Sequence, residues 1–209
     1  MTTPVYHQTY KRLFDLIVMM LAHLILLPVW IILWVSIPII IWISDRGPIF
    51  FKQYRCGHNG KAFFLYKFRT MVKGASNMGP SWTTKNDPRI TRFGRILRKT
   101  ALDELPGTIS IWFGTMSLVG PRALSVEEQK LLENEIPGFS KRLIVKPGLT
   151  GLAQLYNITN DSTQKLNYDM KYIQTMSIWL DIKILFLSIT NTIFVKWDHR
   201  EGNNISKPN

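Results

Sequence analysis

Cysteine is almost absent. Cys56 is the only one in 209 residues, so no internal disulfide can form, and nothing points to an oxidising compartment. Histidine is scarce too: His7, His23, His58 and His199 are scattered without metal-ligand spacing, which argues against a zinc site. Acidic residues number 14 against 26 Lys and Arg, leaving a formal charge of +12. That balance points to anionic partners such as phosphates, lipid headgroups or nucleic acid, without choosing among them. The length suits one domain of ordinary size plus an appended element.

The sequence does contain a long apolar run. From Leu13 to Ile43 it is interrupted mainly by Asp15, His23, Ser36, Pro28 and Pro38, and it reads as a membrane segment. It is about twice the length of a signal-peptide core and shows no small-residue cleavage site, so it is expected to remain on the mature protein. As one straight helix it would reach about 46 Å, against a hydrocarbon core of about 30 Å. Broken at Pro28, each half is about 23 Å and too short to cross, so the chain could enter one leaflet and return. Cations flank both ends, Lys11 and Arg12 before it and Arg46, Lys52 and Arg55 after it, as two cytoplasmic ends would. A tilted, kinked spanning helix fits these features equally well. Asp15 is placed to pair with Lys11 or Arg12, and His23 reads as a hydrogen-bonded packing residue.

Ile49–Tyr54 and Ala62–Met71 are β-rich and separated by a loop with Asn59-Gly60, a hairpin signal. Alternation on the second strand puts Phe63, Leu65, Lys67 and Arg69 on one face, and Phe64, Tyr66 and Phe68 on the other. Val72–Asp87 reads as a loop over a site. A helix is predicted from Asp87-Pro88, with Arg89, Arg92, Arg95 and Arg98 every third residue beside an apolar ridge of Ile90, Phe93, Ile96 and Leu97.

That ladder leads to Thr100-Ala101-Leu102-Asp103-Glu104-Leu105-Pro106-Gly107, the stretch around which the chain is organised. Thr100 and Asp103 fit a capping box, which would make Asp103 structural. A helix capped at Thr100, however, carries Pro106 in its interior. Starting at about Asp103 instead, the helix tolerates Pro106 and holds both carboxylates at its positive end, where phosphate also binds. Both readings stand on these residues alone.

Gly120-Pro121-Arg122 marks a turn presenting a guanidinium suited to bidentate phosphate contact. Ser125, with Glu127 and Glu128 behind it, starts a helix that ends before Pro137-Gly138. Lys146-Pro147-Gly148-Leu149-Thr150-Gly151 is a Gly-flanked loop without Walker or dinucleotide spacing. Asp169 sits between Tyr168 and Tyr172. Ile178–Val195 is apolar but carries Asp181, Lys183, Ser188, Asn191 and Thr192, which predicts a helix lying in the interface or packed on the domain. From Lys196 the chain is polar.

Taken in order, six stretches resemble the bacterial sugar transferase family, the small monotopic phosphoglycosyl transferases that initiate polyprenyl-diphosphate-linked glycan assembly. They are Lys11-Arg12-Leu13-Phe14-Asp15, Tyr66-Lys67-Phe68-Arg69-Thr70-Met71, Asp87-Pro88-Arg89-Ile90-Thr91-Arg92-Phe93-Gly94, Leu102-Asp103-Glu104-Leu105-Pro106, Ser117-Leu118-Val119-Gly120-Pro121-Arg122 and Lys146-Pro147-Gly148-Leu149-Thr150-Gly151.

The resemblance implies a ping-pong reaction. Asp103 attacks the β-phosphate of a UDP-sugar, UMP leaves, and polyprenyl (undecaprenyl) phosphate takes the phosphosugar from the enzyme. It implies Mg²⁺ beside Asp103, with Glu104 as the partner acid. Lys67, Arg98, Arg122 and Asp169 fall where the family has functional polar residues, and Arg69 and Lys146 join them in the expected substrate-binding set. The implied fold is mixed α/β and helix-rich. A re-entrant helix broken at proline (1–46) precedes a catalytic domain with a small β-hairpin and interfacial amphipathic helices (47–195), and a polar tail follows (196–209). The implied location is the cytoplasmic face of the bacterial inner membrane, with anionic lipids as further partners, a homodimer compatible and no nucleic acid.

This chain departs from the family pattern at Leu27, Gly107, Thr115 and Leu152, where the family commonly has Ser, Gln, an acid and Trp. The competing reading is a non-catalytic, basic, membrane-tethered binding or scaffold protein. It explains the charge but not the acidic pair within it.

Overall fold

The computed structural model describes residues 10–79, 87–157 and 161–194. The polar tail and most of the second half of the loop at 72–87 lie outside them. The described chain is helix-rich, with two small two-stranded sheets.

The apolar run forms two helices, α1 (Lys11–Ile25) and α2 (Leu27–Asp45). The break falls at Leu26, not at Pro28 as the sequence predicts. Pro28 has no N–H to give a helix interior but is tolerated in a first turn, so one helix ends and the next begins just ahead of it. Leu26 still donates to Ala22 and Trp30 to Leu26, and the His23 ring stacks on Trp30 across the break, centroids 4.5 Å apart. The hydroxyl missing at Leu27 is therefore not needed to satisfy these groups. At 19 residues α2 is longer than the half-helix expected, and by length and composition alone it could cross a membrane.

Both ends of this pair are fastened to the same body. At one end Lys11 pairs with Asp181, Asp15 accepts from the Leu118 N–H at 3.2 Å, and Arg12 donates to the carbonyls of Ile111 and Trp112. At the other end Asp45 lies 3.4 Å from Arg69 and accepts from the Lys73 N–H at 2.7 Å. Ile37 and Ile41 of α2 pack on Phe68 and Leu97. The turn between the helices is bare, with Leu24 and Ile25 each 71% exposed.

The hairpin forms as predicted: β1 (Phe50–Cys56) runs antiparallel to β2 (Ala62–Phe68), with Phe51 opposite Lys67 and Arg55 opposite Phe63. Asn59 and Gly60 supply the two positive φ angles of the turn, 54° and 76°. The arginine-bearing helix α3 (Arg92–Lys99) begins later than predicted. Residues 89–91 first run against 70–72, with Val72 donating to Arg89 and Thr91 to Thr70, and the Asp87 carboxylate is taken up by Arg89. Thr91 then caps α3 by accepting from the Gly94 N–H. Gly94 lies against the Thr70 backbone, where a Cβ would come within 2.0 Å of a carbonyl oxygen.

A 3₁₀ turn at Leu102–Gly107 and the short α4 (Thr108–Trp112) lead to β3 (Ser117–Val119). α5 (Val126–Glu135), capped by Ser125 as predicted, and a 3₁₀ turn at Phe139–Ile144 precede β4 (Gly148–Thr150), which pairs parallel with β3. α6 (Leu152–Tyr156), α7 (Ser162–Thr175) and α8 (Ile178–Ile193) close the fold. The main core gathers Met19 of α1 with Ile111, Val119, Val145, Tyr172 and Ile184. Asp181, Ile184 and Ser188 of α8 face inward, while Trp179, Phe186 and Ile193 are 79%, 65% and 67% exposed.

Candidate active site

Thr100 does not cap the acidic pair. Its hydroxyl donates back to the carbonyls of Ile96 and Leu97 at the end of α3, which removes the capping-box reading. Ala101 follows with φ of 55°, a left-handed conformation that turns the chain sharply, and Asp103 and Glu104 then occupy the first turn of the 3₁₀ segment. Each is only 9% exposed.

Two cations reach this pair from different elements. Lys67 Nζ from β2 and Arg122 Nη2 from the turn after β3 both donate to Glu104 Oε1, each at 2.8 Å. Burial pushes the Lys67 ammonium below its ordinary value, with Glu104 pulling the other way, whereas the charge of Glu104 holds Arg122 above its own. Asp103 adds to the field on both cations. A shallow cleft lies beside Glu104, bordered by Lys67, Glu104, Gly107, Arg122, Gly148 and Arg55; Asp103 is not among the residues that line it. Gly107 packs against Leu65 at this border, and Thr115 donates to the Ser110 carbonyl at 3.1 Å.

Arg69, Lys146 and Asp169 stand apart from the cluster. Arg69, although on the alternation with Lys67, lies past the end of β2 and turns to Asp45 and Gly47 at the foot of α2. Arg98 donates from Nε to Thr70 Oγ1 at 2.8 Å. Lys146 and Arg12 converge beside Gly114, and burial together with Arg12 lowers the lysine pKa. Asp169 is buried behind the cleft rather than lining it, accepting from Arg142 Nε at 2.7 Å.

Two residues were missed from sequence. Arg142, fully buried, joins Asp169 to the Arg122 carbonyl; no sequence signal marks it. Arg55 counts in the sequence as a membrane-flanking charge, but alternation along β1 puts it with Phe51 and Gln53 on the face whose partners are Phe63, Leu65 and Lys67, and that pattern is the signal that marks it.

Among the described residues no group of three or more His, Cys, Asp or Glu could hold a metal. Mg²⁺ can be held by as few as one or two acids completed by substrate phosphates and water, a mode that needs no such group.

The profile of the family described as bacterial sugar transferase matches residues 6–195. The chain belongs to the bacterial sugar transferase family. Among its relatives, the UDP-glucose:undecaprenyl-phosphate glucose-1-phosphate transferase of Klebsiella pneumoniae is 38% identical over 189 residues, covering 88% of this chain and 40% of that protein. The undecaprenyl-phosphate galactose phosphotransferase of Salmonella typhimurium is 35% identical over 192 residues, covering 84% of this chain and 39% of its own length. This sugar transferase chain thus spans about two fifths of those relatives. It covers 94% of the exopolysaccharide production protein PSS of Rhizobium leguminosarum bv. phaseoli, to which it is 36% identical over 193 residues.

Proposed function

We propose that this chain transfers a sugar 1-phosphate from a UDP-sugar to undecaprenyl phosphate and releases UMP, with Asp103 as the nucleophile. The observation that carries the reading is the buried Asp103–Glu104 pair, with Lys67 and Arg122 both bonded to Glu104 where that acid borders the cleft. A carboxylate approaches an anionic diphosphate only where cations offset the repulsion, and two are held there before substrate arrives. The names of the relatives support the reaction class, and they differ in the sugar.

In the first step an Asp103 oxygen bonds to the β-phosphorus, and the bond from that phosphorus to the bridging oxygen breaks. UMP departs with the electron pair and the phosphosugar stays on Asp103 as an acyl phosphate. In the second step an oxygen of undecaprenyl phosphate attacks the same phosphorus and the aspartate is released. Glu104 holds Lys67 and Arg122 in place for the diphosphate, and Arg122 offers it a planar donor fork. Mg²⁺, held by Asp103 and the substrate phosphates, would neutralise charge on the diphosphate and the leaving UMP.

The fastening of both α1–α2 ends to one body supports a re-entrant hairpin in one leaflet of the bacterial inner membrane, with the cleft on the cytoplasmic face. The exposed apolar side of α8 then lies in the interface beside anionic lipids. Incubation with labelled UDP-sugars, undecaprenyl phosphate and Mg²⁺ tests the reaction. Label should pass into the lipid phase from at least one donor in wild type and from none in Asp103→Asn; equal transfer by both removes Asp103 from its role.

A further inference from the structure

Arg55 lies on the inward face of β1 and is pinned there by the chain that follows Arg122. Its Nη1 donates to the Ala123 carbonyl at 3.0 Å, Cys56 donates to the Leu124 carbonyl at 2.9 Å, and Arg55 bridges Ser125. Arg55 borders the same cleft as Lys67, Glu104 and Arg122.

Its bonding is incomplete. Nε is buried with no acceptor, and no carboxylate among the described residues bonds Arg55 directly. The edge formed by Nε and Nη2, one of the two pairs of parallel donors that a guanidinium presents to a phosphate, is the edge left over. A buried donor without a partner is rare in a native fold and marks a place where a ligand can complete the bonding.

Like charge also crowds here. Burial and the neighbouring Arg122 lower the Arg55 pKa to about 10, and Glu128, Glu104 and Glu127 counter this only from a distance. Arg55 still carries its charge at neutral pH. Two guanidiniums on one cleft repel, and an anion between them turns that repulsion into attraction for both. Lys67 and Arg122, by contrast, already share Glu104.

We infer that Arg55 is a third cation of the donor site, binding the diphosphate of a nucleoside-diphosphate sugar together with Arg122; this rests on the reading of the site proposed above. Arg55 acts on donor binding more than on the chemical step, since the nucleophile and its partner acid belong to another element.

The test titrates the detergent-solubilised full chain with UDP and with inorganic pyrophosphate, neither of which carries a sugar to transfer. Arg55→Met should weaken both about tenfold or more, and the loss in turnover should appear in KM for the donor rather than in kcat. Arg55→Lys, which keeps the charge without the fork, should fall between. A purely structural Arg55 would lower the melting midpoint of Arg55→Met and leave UDP affinity unchanged, which overturns the inference. If Arg55→Met does not fold, Arg55→Lys decides, and wild-type UDP affinity in it has the same force. Wild type binding neither probe also overturns it. Wild type that binds UDP but transfers no sugar phosphate contradicts the proposed reaction instead, and leaves Arg55 to be judged by the titration.

Discussion

Arg142 donates from Nη2 to the backbone carbonyl of Arg122 at 2.8 Å, so the turn that presents one guanidinium to the cleft is held from behind by another. Asp169 neutralises that second guanidinium from inside the core, and Gln129 accepts from its Nη1 at 3.1 Å. Asp169→Ala should therefore strand a buried charge and cost about 3–5 kcal/mol of stability, read as a drop in the denaturant midpoint. The double variant Asp169→Leu, Arg142→Met should recover much of that loss, while transfer stays low because Arg122 has lost its support. An Asp169→Ala protein of wild-type stability with weakened donor binding would instead return Asp169 to the substrate.

Burial lowers the Lys67 pKa from the ordinary 10.5, and only the protonated lysine attracts a diphosphate. UDP affinity should accordingly fall as pH rises, beginning below 10.5, where the ammonium is lost while the diphosphate keeps its charge. In Lys67→Arg the alkaline limb should move upward, because a guanidinium in that place keeps its charge to higher pH. Dissociation constants for UDP measured from neutral pH to pH 10 in both proteins check this, and a limb that does not move rules out Lys67 as the titrating group.

The re-entrant hairpin is tested by labelling. Tyr10 and Lys73 are exposed at the two ends of the helix pair, and the native Cys56 is buried and so stays silent. Cysteines placed singly at Tyr10 and Lys73 should both be shielded from a membrane-impermeant thiol reagent in intact cells and both react after lysis. Labelling of Tyr10→Cys alone in intact cells would show a spanning helix.

Much of this was legible in the sequence because the signals are local. Asn59-Gly60 demands a hairpin turn, Ser125 with Glu128 starts a helix, and Pro106 argues against a cap at Thr100. What stayed hidden depends on distant contacts. The Asp87-Pro88 start failed because residues 89–91 found backbone partners at 70–72 first. The parallel pairing of β3 with β4 joins short segments far apart in the chain, and three residues show no clear period. Arg69 shares the alternation of Lys67, but the strand ends at Phe68 and the foot of α2 supplies Asp45 as its partner. Asp169 carries the residue type of a ligand, and only the fold shows that Arg142 takes it.

The claim on which the account depends is that Asp103 carries the phosphosugar. The most direct measurement is UMP release in a single turnover, with purified protein, Mg²⁺ and a panel of UDP-sugars, in the absence and presence of undecaprenyl phosphate. Wild type should release about one equivalent of UMP per active site without the lipid and turn over continuously with it, and Asp103→Asn should release none. Wild-type release by Asp103→Asn, or release by wild type only when the lipid is present, would contradict the covalent intermediate.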